Sequence, residues 1–201
     1  MITEIIKIGS DGKGAESALA VTDKAAAYGG LDPKESIRLT LLSEELIGLF
    51  KSIAGDISDA GFWIEQENKE FKIHMKATVE MNQALRKEFL SISRSGKNAA
   101  AKGFMGKLKD LISTALMPES DPAQRSIPVG FVSMDNPASS EQAASLLWTL
   151  QDYRTGLNGT DKSGNEDEWD ELEKSIVANI ADDVQVSVNG AVVDVAIIKK
   201  F

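Results

Sequence analysis

The sequence has no cysteine, a single histidine and no long apolar run among its 201 residues. Without cysteine, the chain forms no disulfide, thiolate zinc site or cysteine nucleophile, which fits a reducing compartment. With His74 as the only histidine, a histidine metal cluster is excluded, and we expect no metal site. No apolar run approaches the roughly 18 residues that a membrane-spanning helix needs, and the alternating residues 1–10 indicate a strand instead of a signal peptide. These absences predict a cytoplasmic protein without a membrane partner.

Acidic residues outnumber basic ones, with 31 Asp and Glu against 22 Lys and Arg. The formal net charge is −9 at neutral pH, which argues against a nucleic-acid partner because phosphate binding depends on clustered Lys and Arg. The charged residues are not evenly distributed along the chain. Residues 86–109 form a basic stretch, and residues 166–173 form an acidic stretch. Either each stretch is a solvated helix face, or the basic one binds an anion and the acidic one pairs with it. The basic residues are Arg86, Lys87, Arg94, Lys97, Lys102, Lys107 and Lys109, and the acidic ones are Glu166, Asp167, Glu168, Asp170, Glu171 and Glu173.

The N-terminal part predicts a strand and two helices. A glycine-rich turn at residues 9–14 follows the first strand, and the alanine-rich residues 15–28 favour a helix that ends at a glycine pair. A second helix begins at Asp32, which is a good N-cap, with Pro33 in the first turn and Glu35 completing a capping box. Its apolar residues recur at three-to-four spacing through residue 53, so we expect a core helix.

Two hairpins are predicted from alternating apolar residues. The first joins residues 62–67 to residues 70–79, with one face buried. The second joins residues 184–188 to residues 191–198 through Asn189-Gly190, which is a strong hairpin signal. His74 alternates with the apolar residues of the first hairpin, so we place it on the face opposite the core.

The region between the hairpins is less regular. Helical periodicity predicts helices at residues 82–92 and 99–117, the second weakened by two interior glycines, and residues 126–132 suggest a short edge strand. A further helix is expected from Ser139 or Ser140 to about residue 155, with Leu146, Leu147, Trp148 and Leu150 in its body. We expect a loop at residues 156–165 and a last helix at residues 166–181.

This order of elements predicts an α+β fold. Runs of strands and helices, without a regular strand–helix alternation, favour a two-layer sandwich in which helices cover one face of a mostly antiparallel or mixed sheet.

Residues 31–46 (LDPKESIRLTLLSEEL) and the hairpin at residues 62–79 resemble the N-terminal half of bacterial anti-sigma-factor serine kinases and related GHKL (Bergerat-fold) ATPases. Residues 169–201 are similar to the last helix and two strands of that domain. The resemblance implies a single GHKL-like domain over residues 1–201, with an enlarged lid or insertion at about 80–165.

The family's ATP site supplies the candidate site residues. It uses a glutamate and, four residues later, an asparagine, so that a carboxylate orients water and an amide binds a metal from the same helix face. The equivalents here are Glu44 and Gly48, and glycine ligates nothing. The family's Asp-x-Gly motif, which would read adenine, corresponds to Ala77 and Val79. ATP is therefore the implied cofactor, whereas magnesium is not expected.

Two lysines and two glycine-containing segments are further candidates for contacting the phosphates of a ligand. Lys97 and Lys102 belong to the basic stretch, and residues 102–107 are a candidate mobile lid over an anionic ligand. The Gly-x-x-Gly-Lys pattern at residues 103–107 lacks the strand and spacing of a P-loop. The family's phosphate-binding turn would lie near residues 156–164, where the glycines follow no phosphate-loop order.

Three functions are consistent with these observations. The first is a divergent GHKL-fold protein that acts as a regulatory or partner-binding module, with a protein or a nucleotide as its ligand. The second is an active ATP-dependent serine kinase that uses Glu44 as base. The third is an interaction protein of an unrelated α+β fold. The partner and the oligomeric state are not predicted.

Overall fold

Helices and strands alternate in groups along the chain. The computed structural model describes residues 1–9, 11–53, 57–79, 103–116, 131–133, 146–159 and 166–201. The strands are β1 (Ile6–Ile8), β2 (Ile57–Glu67), β3 (Glu70–Val79), β4 (Phe131–Ser133), β5 (Leu146–Thr149), β6 (Asp183–Asn189) and β7 (Val192–Lys200). The helices are α1 (Ala15–Tyr28), α2 (Pro33–Ile53), α3 (Phe104–Ala115), α4 (Leu150–Gly159), α5 (Glu166–Lys174) and α6 (Ile176–Ile180).

The described strands form one sheet in the order β1-β2-β3-β7-β6-β5-β4. Every neighbouring pair is antiparallel. The two predicted hairpins meet at the centre of this sheet, where β3 pairs with β7 over nine residue pairs from Glu70↔Lys200 to Thr78↔Val192. The structure therefore confirms the prediction of an α+β sandwich with a mostly antiparallel sheet.

One face of the sheet forms the core with the helices. Along β3 every second side chain is buried, and the register places Ile73 and Met75 opposite buried residues of both β2 and β7. The packed helices α1 and α2 contact this sheet, with α2 against both β3 and β7. Burying each large aliphatic or aromatic side chain contributes roughly 1.5–3 kcal/mol, so this layer dominates stability. The largest fully buried side chains include Phe50, Phe62, Phe71, Leu39, Leu42, Leu46, Ile64 and Ile73.

Helix α2 begins at the predicted capping box. The Asp32 carboxylate accepts hydrogen bonds from the backbone N–H groups of Lys34 and Glu35, both at 2.8 Å, and the Glu35 carboxylate accepts one from the Asp32 N–H at 2.9 Å. The Glu35 N–H is the main cause that lowers the pKa of Asp32 below its ordinary value. Because the folded pKa is lowered, this cap stabilises the fold above the ordinary carboxyl pKa and is lost as the pH falls through the lowered value.

The prediction of a helix from residue 139 to residue 155 is wrong for Leu146–Thr149. These residues form strand β5 between β4 and β6, with Trp148 opposite Val186. The helix begins only at Leu150, because Thr149 acts as its cap: the Asp152 N–H donates to Thr149 Oγ1 at 3.0 Å, and that hydroxyl donates to Asp152 Oδ2 at 2.8 Å. Helix α4 then continues to Gly159, so the predicted loop at residues 156–165 is wrong for its first four residues.

The predicted last helix is divided in two. Helix α5 ends at Lys174, and Ser175 has an extended backbone and caps α6 by accepting a hydrogen bond from the Ala178 N–H at 3.1 Å. A serine cap inside a helical pattern therefore ends one helix and begins another.

Some other predicted segments are confirmed over only part of their length, and some lie outside the described residues. The edge strand is confirmed at residues 131–132, since β4 ends the strand order of the described sheet. The helix at residues 99–117 is confirmed over Phe104–Ala115. The helix at residues 82–92 and residues 139–145 lie outside the described residues. Of the helices that the structure describes, none has the length and apolar character to cross a membrane.

Candidate functional site

Glu44 and Gly48 lie together on the outer side of α2. The inner side of this helix is buried, whereas Glu44, Gly48 and Lys51 are all exposed. These three positions follow the i, i+4, i+7 spacing of one helix face, and we call them the outer stripe. The structure thus brings the two principal site residues of the sequence prediction to one exposed face.

The space around Gly48 does not require glycine. Apart from the backbone of α2 itself, a Cβ atom built at this position has no heavy atom of the described residues within 4 Å, and the residue has an ordinary helical backbone. Glycine in a helix interior costs about 0.5–1 kcal/mol relative to alanine. Among the described residues, neither packing nor backbone geometry therefore explains the missing side chain, and a β-carbon has room here.

A buried polar contact joins α1 and α2 at Ser43, the residue before Glu44. Thr22 of α1 donates to Ala18 O at 2.9 Å and contacts the hydroxyl of Ser43 at 3.1 Å, with both side chains fully buried. Ser43 precedes Glu44 in α2. Buried polar groups are retained where they are hydrogen-bonded, so this pair fixes α1 and α2 against each other immediately behind Glu44.

Ala77 and Val79 have a different environment. Both side chains are buried on the core face of β3, and Ala77 pairs with Val193 of β7. The two positions supply no polar side-chain atom, so they can form apolar walls of a site but cannot hydrogen-bond to an adenine amino group.

The basic stretch is described only in part. Lys97 and Lys102 lie outside the described residues. Lys107 of α3 lies 2.7 Å from the Glu171 carboxylate and 3.8 Å from that of Glu168, both on α5. Burial tends to lower the pKa of Lys107, but the hydrogen bond to Glu171 and the charges of Tyr153, Glu171 and Glu168 together raise the pKa above its ordinary value. One residue of the basic stretch thus pairs with the acidic stretch, as the second of the two sequence interpretations expects.

Other predicted groups do not assemble into a phosphate site in the described part of the chain. Gly156 lies inside α4, so it belongs to no glycine-rich turn, and Gly164 lies outside the described residues. Among the residues described, no group of three or more His, Asp or Glu side chains is placed to hold a metal ion.

Sequence reasoning located His74 correctly but missed its surroundings. His74 lies on the face of β3 opposite the core, and its imidazole stacks on the Trp63 indole of β2. The pairing depends on the register of β2 and β3, in which Trp63 and His74 are direct partners. Counting outward from the Asn68-Lys69 turn identifies this pair from sequence alone.

Comparison of the chain with protein-family models, curated proteins and solved structures finds no match. The GHKL resemblance therefore stays a prediction that depends on the residues themselves.

Proposed function

We propose that the chain is a divergent GHKL-fold domain that acts as a regulatory or partner-binding module, with a nucleotide as a candidate ligand and without magnesium-dependent catalysis. The observation that carries the proposal is the outer stripe of α2. Glu44 is exposed there, and no described residue fills the space beside Gly48, where the family has its metal-binding amide.

The arrangement of the sheet supports a common scaffold. The hairpin that follows α2 and the hairpin at the end of the chain share one antiparallel sheet, and α2 contacts the central strands of both. The shared sheet and the missing site groups together favour a domain with a GHKL-like fold that does not bind magnesium or hydrolyse ATP.

The chemistry of the candidate positions supports the absence of catalysis. Magnesium prefers oxygen ligands in octahedral geometry, and it is usually held by side-chain oxygens together with substrate phosphates. Gly48 offers no such oxygen, and Ala77 and Val79 are buried apolar residues. Glu44 alone retains a group that the family uses.

Isothermal titration of the wild type and two Gly48 variants with ATP and ADP, each with and without magnesium, tests this proposal. We expect no tight magnesium-dependent ATP binding by the wild type. Gly48→Asn restores the amide four residues after Glu44, and we expect magnesium to strengthen ATP binding in this variant. Gly48→Ala is the matched control, since it fills the same space without a ligand. Tight magnesium-dependent binding by the wild type would falsify the proposal.

The serine-kinase alternative is favoured by one observation, which is the exposed carboxylate of Glu44. A kinase of this type needs a base at that position. Phosphate transfer from ATP to a serine peptide that is lost in Glu44→Gln would support the alternative. Transfer that persists in Glu44→Gln would remove it.

A further inference from the structure

The face of the sheet opposite the helices carries four interacting side chains from three adjacent strands. Trp63 of β2 and His74 of β3 stack with ring centroids 4.7 Å apart and planes 1° from parallel. His74 Nε2 lies 3.8 Å from Glu65 Oε1 of β2, and His74 Nδ1 lies 4.0 Å from Asp194 Oδ1 of β7. We call Trp63, Glu65, His74 and Asp194 the histidine cluster.

One oxygen atom of this cluster is within reach of two donors. The Trp63 indole N–H donates to Glu65 Oε1 at 3.3 Å, and this is the same oxygen that faces His74 Nε2. His74 Nε2 is buried and has no hydrogen-bond partner in the part of the chain described. A protonated imidazole carries a hydrogen on both nitrogens, so protonation adds a charged donor that competes with the indole for Glu65.

The charges that face His74 come from all three strands. The carboxylates are Glu65 on β2 and Asp194 on β7. On β3 itself, Lys72 and Lys76 share the face of His74 at two residues on either side. Lys72 lies 3.6 Å from the Glu70 carboxylate, and Lys76 is exposed and opposite Asp194 in the register. The two carboxylates are the charges within 4.0 Å of the imidazole among the described residues.

We propose that the histidine cluster is a proton-sensitive device on the outer face of the sheet. When His74 binds a proton, Glu65 shifts its hydrogen bond from the Trp63 indole to the imidazolium, and Asp194 becomes the partner of the second ring nitrogen. The imidazolium also lies over the indole face, where a cation is attracted to the ring. Protonation thereby links β2, β3 and β7 and changes the charge of this face by one unit.

The single histidine makes a direct test possible. Because the chain has one histidine, the Cε1–H signal of His74 is identified in a proton–carbon NMR spectrum without mutation. We expect the pH dependence of this signal to differ from that of the wild type in Glu65→Gln and in Asp194→Asn, because each variant removes a negative charge about 4 Å from the ring. Asp170→Asn, on α5 in the helical layer, is the matched control and leaves the midpoint unchanged.

Tryptophan emission tests whether the Trp63 indole loses its hydrogen bond to Glu65 when His74 binds a proton. We expect wild-type emission to change with pH at the same midpoint as the NMR signal, because the indole loses its hydrogen bond and gains a charged neighbour. The change is absent in Trp63→Phe, which keeps an aromatic ring and leaves Trp148 and Trp169 in place. It is also absent in His74→Gln.

Either of two results overturns the proposal. Identical NMR midpoints in the wild type, Glu65→Gln and Asp194→Asn would show that the carboxylates do not respond to the proton. A titrating His74 without a matching change in Trp63 emission would show that the indole is not coupled to it. Both measurements use the wild type and carboxylate variants, so they remain decisive even when His74→Gln fails to fold.

Discussion

Helix α2 has two stripes with opposite relations to the rest of the molecule. The inner stripe, with Leu39, Leu42 and Leu46, is completely buried against the sheet and α1. The outer stripe, with Glu44, Gly48 and Lys51, is exposed. The inner stripe determines how the helix packs, whereas the outer stripe determines what the helix can bind. The two can therefore diverge separately, and a preserved inner stripe says little about activity.

The largest effect is expected on the inner stripe. Leu46→Ala removes a fully buried side chain and should lower the free energy of unfolding by about 2–5 kcal/mol, measured by urea denaturation. Leu41→Ala is the matched control, because Leu41 is half-buried on the same helix. A loss at Leu41 as large as that at Leu46 would contradict the division into two stripes.

A smaller loss is expected where α1 and α2 share a hydrogen bond. Ser43→Ala removes the contact with Thr22, whose hydroxyl keeps its bond to Ala18 O. We expect the free energy of unfolding to fall by about 1 kcal/mol. Ser52→Ala, on the exposed side of the helix end, should change it by less than about 0.5 kcal/mol. Equal values for the two serines would mean that the buried contact contributes nothing.

On the outer stripe we expect a gain. Gly48→Ala should raise the free energy of unfolding by about 0.5–1 kcal/mol, because alanine loses less backbone freedom in a helix and the site has room. Gly14→Ala is the contrasting variant, since Gly14 has φ +88° and an added Cβ would lie 2.0 Å from Lys7 O. Thermal denaturation followed by circular dichroism should show opposite signs, and a loss at Gly48 would be evidence against an open stripe.

The smallest effect is expected at Glu44. Glu44→Gln changes an exposed side chain and should alter the free energy of unfolding by less than about 0.5 kcal/mol. Chemical denaturation alongside Glu45→Gln, its half-buried neighbour, checks this. A stable Glu44→Gln protein allows any change in ATP or partner binding to be assigned to the carboxylate itself. A clear destabilisation would instead give Glu44 a structural role.

Much of the fold was predictable because its signals are local. The capping box at Asp32 and Glu35 forms as expected, and Asn189-Gly190 forms the second hairpin, with Gly190 at φ +57°. In both cases a few adjacent residues determine the geometry without help from distant parts of the chain.

The main error was the helix predicted over Leu146–Thr149, where the same apolar pattern fits a helix or a strand. Leu146, Leu147 and Trp148 form a short apolar run that fits a buried strand or a helix equally well, and the neighbouring strands β4 and β6 decide in favour of a strand. The Thr149-x-x-Asp152 sequence is a capping signal that could have placed the helix start at Leu150. Counting outward from the Asn68-Lys69 turn pairs Trp63 with His74, but the stacking of their rings depends on side-chain positions that the strand register does not specify.

The candidate site was predictable only in part. The i, i+4 spacing correctly placed Glu44 and Gly48 on one face, since helix geometry alone determines it. Whether a nucleotide or a protein binds there depends on groups that spacing does not specify, and this part of the prediction stays a proposal.

The pairing of β3 with β7 also has a consequence for synthesis and folding. More than one hundred residues separate Ile73 from its partner Ile197, so the middle of the sheet closes only after the whole intervening chain has emerged from the ribosome. Until then β3 presents an unpaired edge rich in apolar residues, which is a template for aggregation. Such non-local closure is slow, so this edge stays unpaired for longer than the edges of a sheet built from local hairpins.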